Sequence, residues 1–166
     1  MKRLLALLFA VLTLSSCGIY SFSGTSIQPD VNSITINFFE YKAMKVNPSL
    51  SNDLTEALKN TFRRMTKLEQ MESDGDLEIS GIVTNYTVSA QAITAEEMAA
   101  MNRLTVTVSI TFENKKYPED NFENKSFSAY LDYDSSDSLD SVESSRMSEI
   151  IDKLIEDIFN ATVAQW

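Results

Sequence analysis

The residue types that carry most enzyme chemistry are scarce in this chain of 166 residues, which has one cysteine and no histidine. Without imidazole, the commonest general base and the commonest transition-metal ligand are both missing. The single thiol, Cys17, closes the tetrapeptide Leu14-Ser15-Ser16-Cys17. Ahead of it stand Lys2, Arg3 and an apolar run from Leu4 to Leu14. A basic start, a short apolar run and then small residues form the pattern of an export signal. The run is shorter than the ~20 residues that a membrane-spanning helix needs. Because the small residues end on the lone cysteine, the pattern reads as a bacterial lipobox. The chemistry expected at Cys17 is attachment of a lipid to its thiol. Residues 1–16 are then a removed signal peptide, 17–32 a lipidated tether and 33–166 one domain. An ordinary secretory signal with an incidental free cysteine is the other reading of the same run.

Carboxylates are numerous, so pairs can always be drawn. Asp74 with Asp76, and Asp132 with Asp134, are two such pairs that could be asked to bind calcium or to serve a glycosidase mechanism. Neither pair has the spacing of an EF-hand loop, and a glycosidase pair is defined by a separation in space. Both read as turn and loop acids. The serines include no G-x-S-x-G elbow, and the four glycines form no phosphate loop. With Cys17 lipidated, no zinc site or Ser/His/Asp triad can be built. The chain is expected to be no enzyme, with no catalytic residue, metal or cofactor. Asp137-Ser138-Leu139 and Asp140-Ser141-Val142 fit a short O-glycosylation pattern, and equally a loop and a helix cap.

The formal charge is −10, and −12 once Lys2 and Arg3 leave with the signal, with 12 basic residues against 24 acidic. Such acidity disfavours nucleic acid and favours solubility. The membrane is expected to be reached through the lipid anchor.

The elements that would position a site follow from periodicity. Ile34, Ile36 and Phe38 alternate as a strand. Asn47-Pro48 opens a helix, with Asn47 as cap and Leu50, Leu54, Leu58, Phe62 and Met65 as its apolar stripe. Lys59, Arg63, Arg64 and Lys67 gather late in that helix, as a binding patch or a solvated end. Leu77, Ile79 and Val83 alternate in a second strand that continues through Tyr86 and Val88. Gly81 within it marks a bulge or a close backbone approach. Residues 90–101 form a connection with a helical turn or more. Arg103 to Glu113 alternates without a break, and a return strand runs from about Phe122 to Tyr133. Asp140 with Glu143 resembles a capping box for a last helix from Ser141 to Val163. The expected fold class is α+β: a two-layer sandwich of a four-stranded, mainly antiparallel sheet with two helices on one face, in the order β-α-β-β-β-α.

Helices on one face would leave Thr84, Tyr86, Arg103, Thr105, Thr107, Ser109 and Thr111 on the other. That face is either solvated or set against a partner, with hydroxyls suited to wet, polar contacts.

Five stretches resemble the LptE family of lipopolysaccharide-assembly lipoproteins: Cys17-Gly18-Ile19-Tyr20-Ser21-Phe22-Ser23-Gly24, Asn47-Pro48-Ser49-Leu50, Gly75-Asp76-Leu77-Glu78-Ile79-Ser80-Gly81, Asn102-Arg103-Leu104-Thr105-Val106-Thr107-Val108 and Glu156-Asp157-Ile158-Phe159-Asn160. The resemblance implies an outer-membrane lipoprotein on the periplasmic side. It implies a plug and assembly partner for a large LptD-like β-barrel translocon, aiding lipopolysaccharide transport to the outer leaflet. Direct contact with lipopolysaccharide would need a local basic patch, for which Lys115, Lys116 and Lys125 are the candidates. The alternative from the same anchor is a binding module of another envelope complex, or a glycan-binding lipoprotein.

Overall fold

A computed structural model of the chain describes residues 27–91 and 100–163. Cys17, the tether up to residue 26 and most of the connection expected at 90–101 lie outside the described residues. The elements in order are β1 (Ser33–Ile36), β2 (Glu40–Tyr41), α1 (Leu50–Met65), β3 (Glu69–Met71), β4 (Leu77–Ala90), β5 (Met101–Asn114), a 3-10 turn (Pro118–Asp120), β6 (Phe122–Asp134) and α2 (Leu139–Val163).

The class is α+β, as the periodicity predicts, but the sheet has six strands rather than four. Its order is β3-β1-β4-β5-β6, with β2 also paired to β4. The two added strands hold only two and three residues, too few to show an alternation. They change the character of one side of the sheet. β1 pairs in parallel with β3 and β4, and β2 in parallel with β4. The long β4-β5 and β5-β6 pairs are antiparallel.

β5 explains the layering. Leu104, Val106, Val108, Ile110 and Phe112 are at most 2% exposed. A strand turns alternate side chains to opposite faces, so this apolar set commits one face to the core. Both helices cover that face. Leu50, Leu54, Leu58 and Phe62 are buried from α1, and Ile150, Leu154, Ile158 and Phe159 from α2. The helices meet where the Phe62 and Phe159 rings pack edge-on, 5.1 Å apart at 66°, a geometry worth about 0.5–1.5 kcal/mol beyond the area buried. Met65 leaves the expected stripe and is 56% exposed, because α1 ends there.

The N-cap position of α1 is Ser49, which makes no side-chain capping bond. Asn47, expected there, lies two residues ahead, where its Oδ1 accepts from the backbone N–H of Ser49 and of Leu50, both at 3.2 Å. At α2 the cap is Ser138, whose Oγ accepts from the Ser141 N–H at 3.3 Å. The expected Asp140–Glu143 box does not form, because Glu143 is engaged elsewhere.

Gly81 marks a close approach. A Cβ there would sit 2.6 Å from ring carbons of Phe39, a fully buried side chain. Overpacking of this kind costs about 1–3 kcal/mol. Gly81→Ala is expected to lower the free energy of unfolding by that amount, read as a lower urea midpoint at unchanged slope. Pairing it with Phe39→Leu is expected to recover part of the loss, read from the same unfolding curves.

Candidate functional site

The second face of the sheet carries polar rows. On β5 these are Arg103, Thr105, Thr107, Ser109 and Thr111, each partly exposed. Cross-strand partners share a face, so β6 adds Asp132, Tyr130, Ser128 and Ser126 opposite Arg103, Thr105, Thr107 and Ser109. On its other side β5 meets Ser89, Thr87 and Asn85. Both helices bury their stripes against the first face, and among the described residues no element lies over the second.

The β4 row depends on a bulge. The register shifts between Val83 and Asn85, leaving Thr84 as the extra residue. Thr84 is exposed, and its Oγ1 donates to the Thr107 carbonyl at 3.3 Å, so it stays with the polar face as expected. The shift inverts every later residue. Tyr86, expected on the polar face, turns to the helix side and is 1% exposed. Its hydroxyl donates to the Glu143 carboxylate of α2. Burial, and then this bond to Glu143, push its pKa well above the ordinary tyrosine value. The sequence does carry the signal: the apolar positions change from Leu77, Ile79 and Val83 to Tyr86 and Val88, from odd to even.

Arg103 is the most organised side chain of the polar face. Its Nε and Nη2 donate to the two Asp132 oxygens, both at 2.7 Å. Its guanidinium lies 3.8 Å from the Tyr130 ring centroid, and Tyr130 is 59% exposed. The hydrogen bonds and charge of Arg103 hold Asp132 below the usual carboxylate range, and Asp132 holds Arg103 above its own. Beside this clamp, Thr107 and Ser128 share a hydroxyl contact at 3.1 Å. Sequence reasoning missed the β6 row, although Ser126, Ser128, Tyr130 and Asp132 alternate with Phe127, Ala129 and Leu131.

The three lysines do not gather into one patch. Lys115 lies 3.6 Å from Asp74 and 3.8 Å from Glu78. Lys116 lies 3.1 Å from Asp76 and also donates to the Asp30 carbonyl. Lys125 is opposite Ile110, hence on the helix side, over the Phe122 and Phe127 rings at 5.0 and 5.6 Å. The paired carboxylates are likewise taken up locally. Asp76 accepts from the Asn32 and Ser33 N–H groups at 2.8 and 3.2 Å. The Asn32 bond first, with help from Lys116, lowers its pKa. Asp134 accepts from the Ser136 N–H at 2.8 Å, which lowers its pKa too. Among the described residues no three metal-ligating side chains come together.

A family model described as LptE, lipopolysaccharide-assembly, matches residues 31–162. Among solved structures, the chain is similar to a neuraminyllactose-binding hemagglutinin homologue from Helicobacter pylori, at 10% identity and TM-score 0.53, over 84% of this chain and 87% of that one. It is also similar to a minor lipoprotein from Acinetobacter baumannii, at 18% identity and TM-score 0.47, over 77% of this chain and 89% of that one. At 10% identity the likeness to the Helicobacter structure is one of fold. No curated protein matches.

The Tyr86–Glu143 contact makes a testable claim about how β4 is tied to α2. Tyr86→Phe is expected to cost about 1.5–3 kcal/mol at neutral pH, the range for a bond to a charged group. The folded pKa is raised, so this stability is fully present below about pH 10, the ordinary tyrosine value. It is lost as pH climbs towards the folded pKa, because the unfolded chain gives up the proton first. The difference between wild type and Tyr86→Phe should therefore shrink above pH 10 in denaturant titrations.

Proposed function

The chain belongs to the LptE lipopolysaccharide-assembly family, and we propose that it is a lipid-anchored plug and assembly partner of the outer-membrane β-barrel that translocates lipopolysaccharide. The observation that carries this reading is the uncovered polar face, three strands wide and free of any layer among the described residues. A translocon barrel has a polar lumen. Hydroxyl rows meet such a wall through direct and water-bridged hydrogen bonds, without the large apolar area of a permanent interface. In this role the chain does no chemistry: it fills the lumen, supports folding of the barrel and helps pass lipopolysaccharide to the outer leaflet.

The anchor belongs to the same proposal. Cys17 carries the lipid, and Gly18 follows it where an acidic residue would favour retention at the inner membrane. Attachment is then to the outer membrane, facing the periplasm. No helix among the described residues is long and apolar enough to cross a bilayer, which agrees with attachment by lipid. Lys115 and Lys116 act in holding the hairpin to the Asp74–Glu78 turn, which speaks against them as contacts for lipopolysaccharide. Lys125 keeps an exposed ammonium without a carboxylate partner among the described residues.

A tagged full-length chain extracted in mild detergent is expected to bring down one large outer-membrane barrel. Photoreactive groups at Thr107 and Tyr130 should join to that barrel, and groups at the exposed α2 positions Asp152 and Glu156 should not. Recovery of no barrel, or cross-links from the helix positions alone, would overturn the reading.

A further inference from the structure

The C-terminal end of α1 departs from the paired electrostatics of the rest of the chain. Most basic side chains among the described residues have a carboxylate within 4.0 Å: Lys42, Lys59, Arg103, Lys115, Lys116, Arg146 and Lys153. Lys45 and Lys125 lie over aromatic rings. The exceptions are Arg63, Arg64 and Lys67, which stand together. Arg63 donates to Asn60 and Gln70, both neutral, at 2.8 and 3.1 Å. Arg64 and Lys67 have no acidic partner among the described residues. Glu69, the nearest acid along the chain, turns to the opposite sheet face from Gln70, whose amide reaches the Lys59 carbonyl of α1. Of the other acids at this end of the sheet, Asp74 and Asp76 are paired with Lys115 and Lys116, Asp30 accepts from the Tyr117 hydroxyl, and Glu72 is exposed beyond the end of β3.

Two of these cations, Arg64 and Lys67, line an open groove of about 490 Å³, with Met65 and Leu68 beside them and Ile27 and Val31 on the other side. Met65, 56% exposed, stands between Arg64 and Lys67 in sequence and lines the same groove. Gln28, Asn32 and Thr66 line it too, and cations beside walls of mixed polar and apolar character suit the headgroup layer of an anionic membrane. Ile27 lies ten residues after Cys17, and ten residues reach at most ~36 Å when fully extended. A lipid on Cys17 thus keeps the groove close to the membrane that holds it.

We propose that the α1 end and its groove rest on the anionic phospholipid headgroups of the leaflet that carries the Cys17 lipid. Arg64 and Lys67 take lipid phosphates, with Arg63 behind them, and Met65 enters the headgroup layer. Three cations on a protein of charge −12 would not recruit it from solution. The anchor turns the contact into an intramolecular one, for which a small gain is enough. The acidic remainder of the body is repelled by the same surface, so the charge asymmetry also sets which end faces the membrane. The placement rests on the lipidated Cys17 of the preceding proposal and needs no barrel, so the two fail separately.

The test uses the full lipidated chain in vesicles, with a fluorophore on a new cysteine at Met65 (M65C) or at Thr107 (T107C). The Cys17 thiol is blocked by its lipid, so each label is unique. The vesicles are phosphatidylcholine, with or without 30% phosphatidylglycerol, and carry a headgroup quencher. The Met65 label should be quenched far more than the Thr107 label in the anionic vesicles, and the excess should fall in neutral vesicles and in high salt. Reversal of both charges (R64E with K67E) should cut the excess by more than roughly 25-fold, the product of about fivefold for each cation lost. Neutralisation (R64Q with K67Q) should give an intermediate loss, with unfolding curves unchanged for these exposed positions. Equal quenching at the two labels, an excess indifferent to vesicle charge or to the substitutions, or failure of the chain to enter vesicles would each overturn it.

Discussion

Among the described residues two long helices pack on a six-stranded sheet, enough to cover it on one side. Everything else in the molecule follows from which side that is. The choice is made on β5, where five apolar residues at alternate positions are almost wholly buried. The contact between Phe62 and Phe159 then holds both helices over the same face. With both helices spent, the opposite face has to be stable against water, and its composition answers that need. Thr, Ser, Asn, Asp and Arg side chains lose little by remaining hydrated, and threonine suits an extended backbone. A face left open for this reason is also available to a partner with a polar surface.

The bulge at Thr84 shows how narrow the margin is. Without it, β4 would carry Tyr86 and Val88 onto the polar face, and the long strand could not stay in register with the core of β5. One extra residue restores agreement over the distal half of the strand. It also brings the Tyr86 hydroxyl under the first turns of α2, where Glu143 accepts it. The same residue that protects the polar face therefore ties the far end of the sheet to the helix layer. This is also why Glu143 is unavailable for the capping box that its spacing suggests.

Where the sequence was legible, a long uniform period made it so. β5 and both helix stripes are written in side-chain spacing. β2 and β3 are too short to have a period at all, and they exist because β1 and β4 offer them backbone partners. The inversion at Tyr86 was visible as a change of phase, but only to a reading that allowed the phase to change. The lysines illustrate a different limit. Lys115 and Lys116 stand together in a polar loop, and nothing local says that Asp74, Asp76 and Glu78 lie across from them. That follows from the pairing of Leu77 with Asn114, a contact of high sequence separation. Charge in sequence is local, whereas neutralisation is set by the fold.

The two exposed charged regions sit at opposite ends of the sheet and differ in kind. Arg103 arrives with its charge already met by Asp132 and its flat face already stacked on Tyr130. Burying such a pair against a partner costs less desolvation than burying a lone cation, and it adds little net attraction. A surface built this way discriminates by shape and hydrogen bonding, which is appropriate to a close-fitting polar lumen. Arg64 and Lys67 keep their charge unmet. They are attracted to any anionic surface and read no detail of it, which is appropriate to headgroups that diffuse and exchange. If both surfaces are used, the body stands with the α1 end at the lipid and the Arg103 end directed away from it. The orientation is then set by where charges are paired and where they are not, and the tether has only to limit the distance.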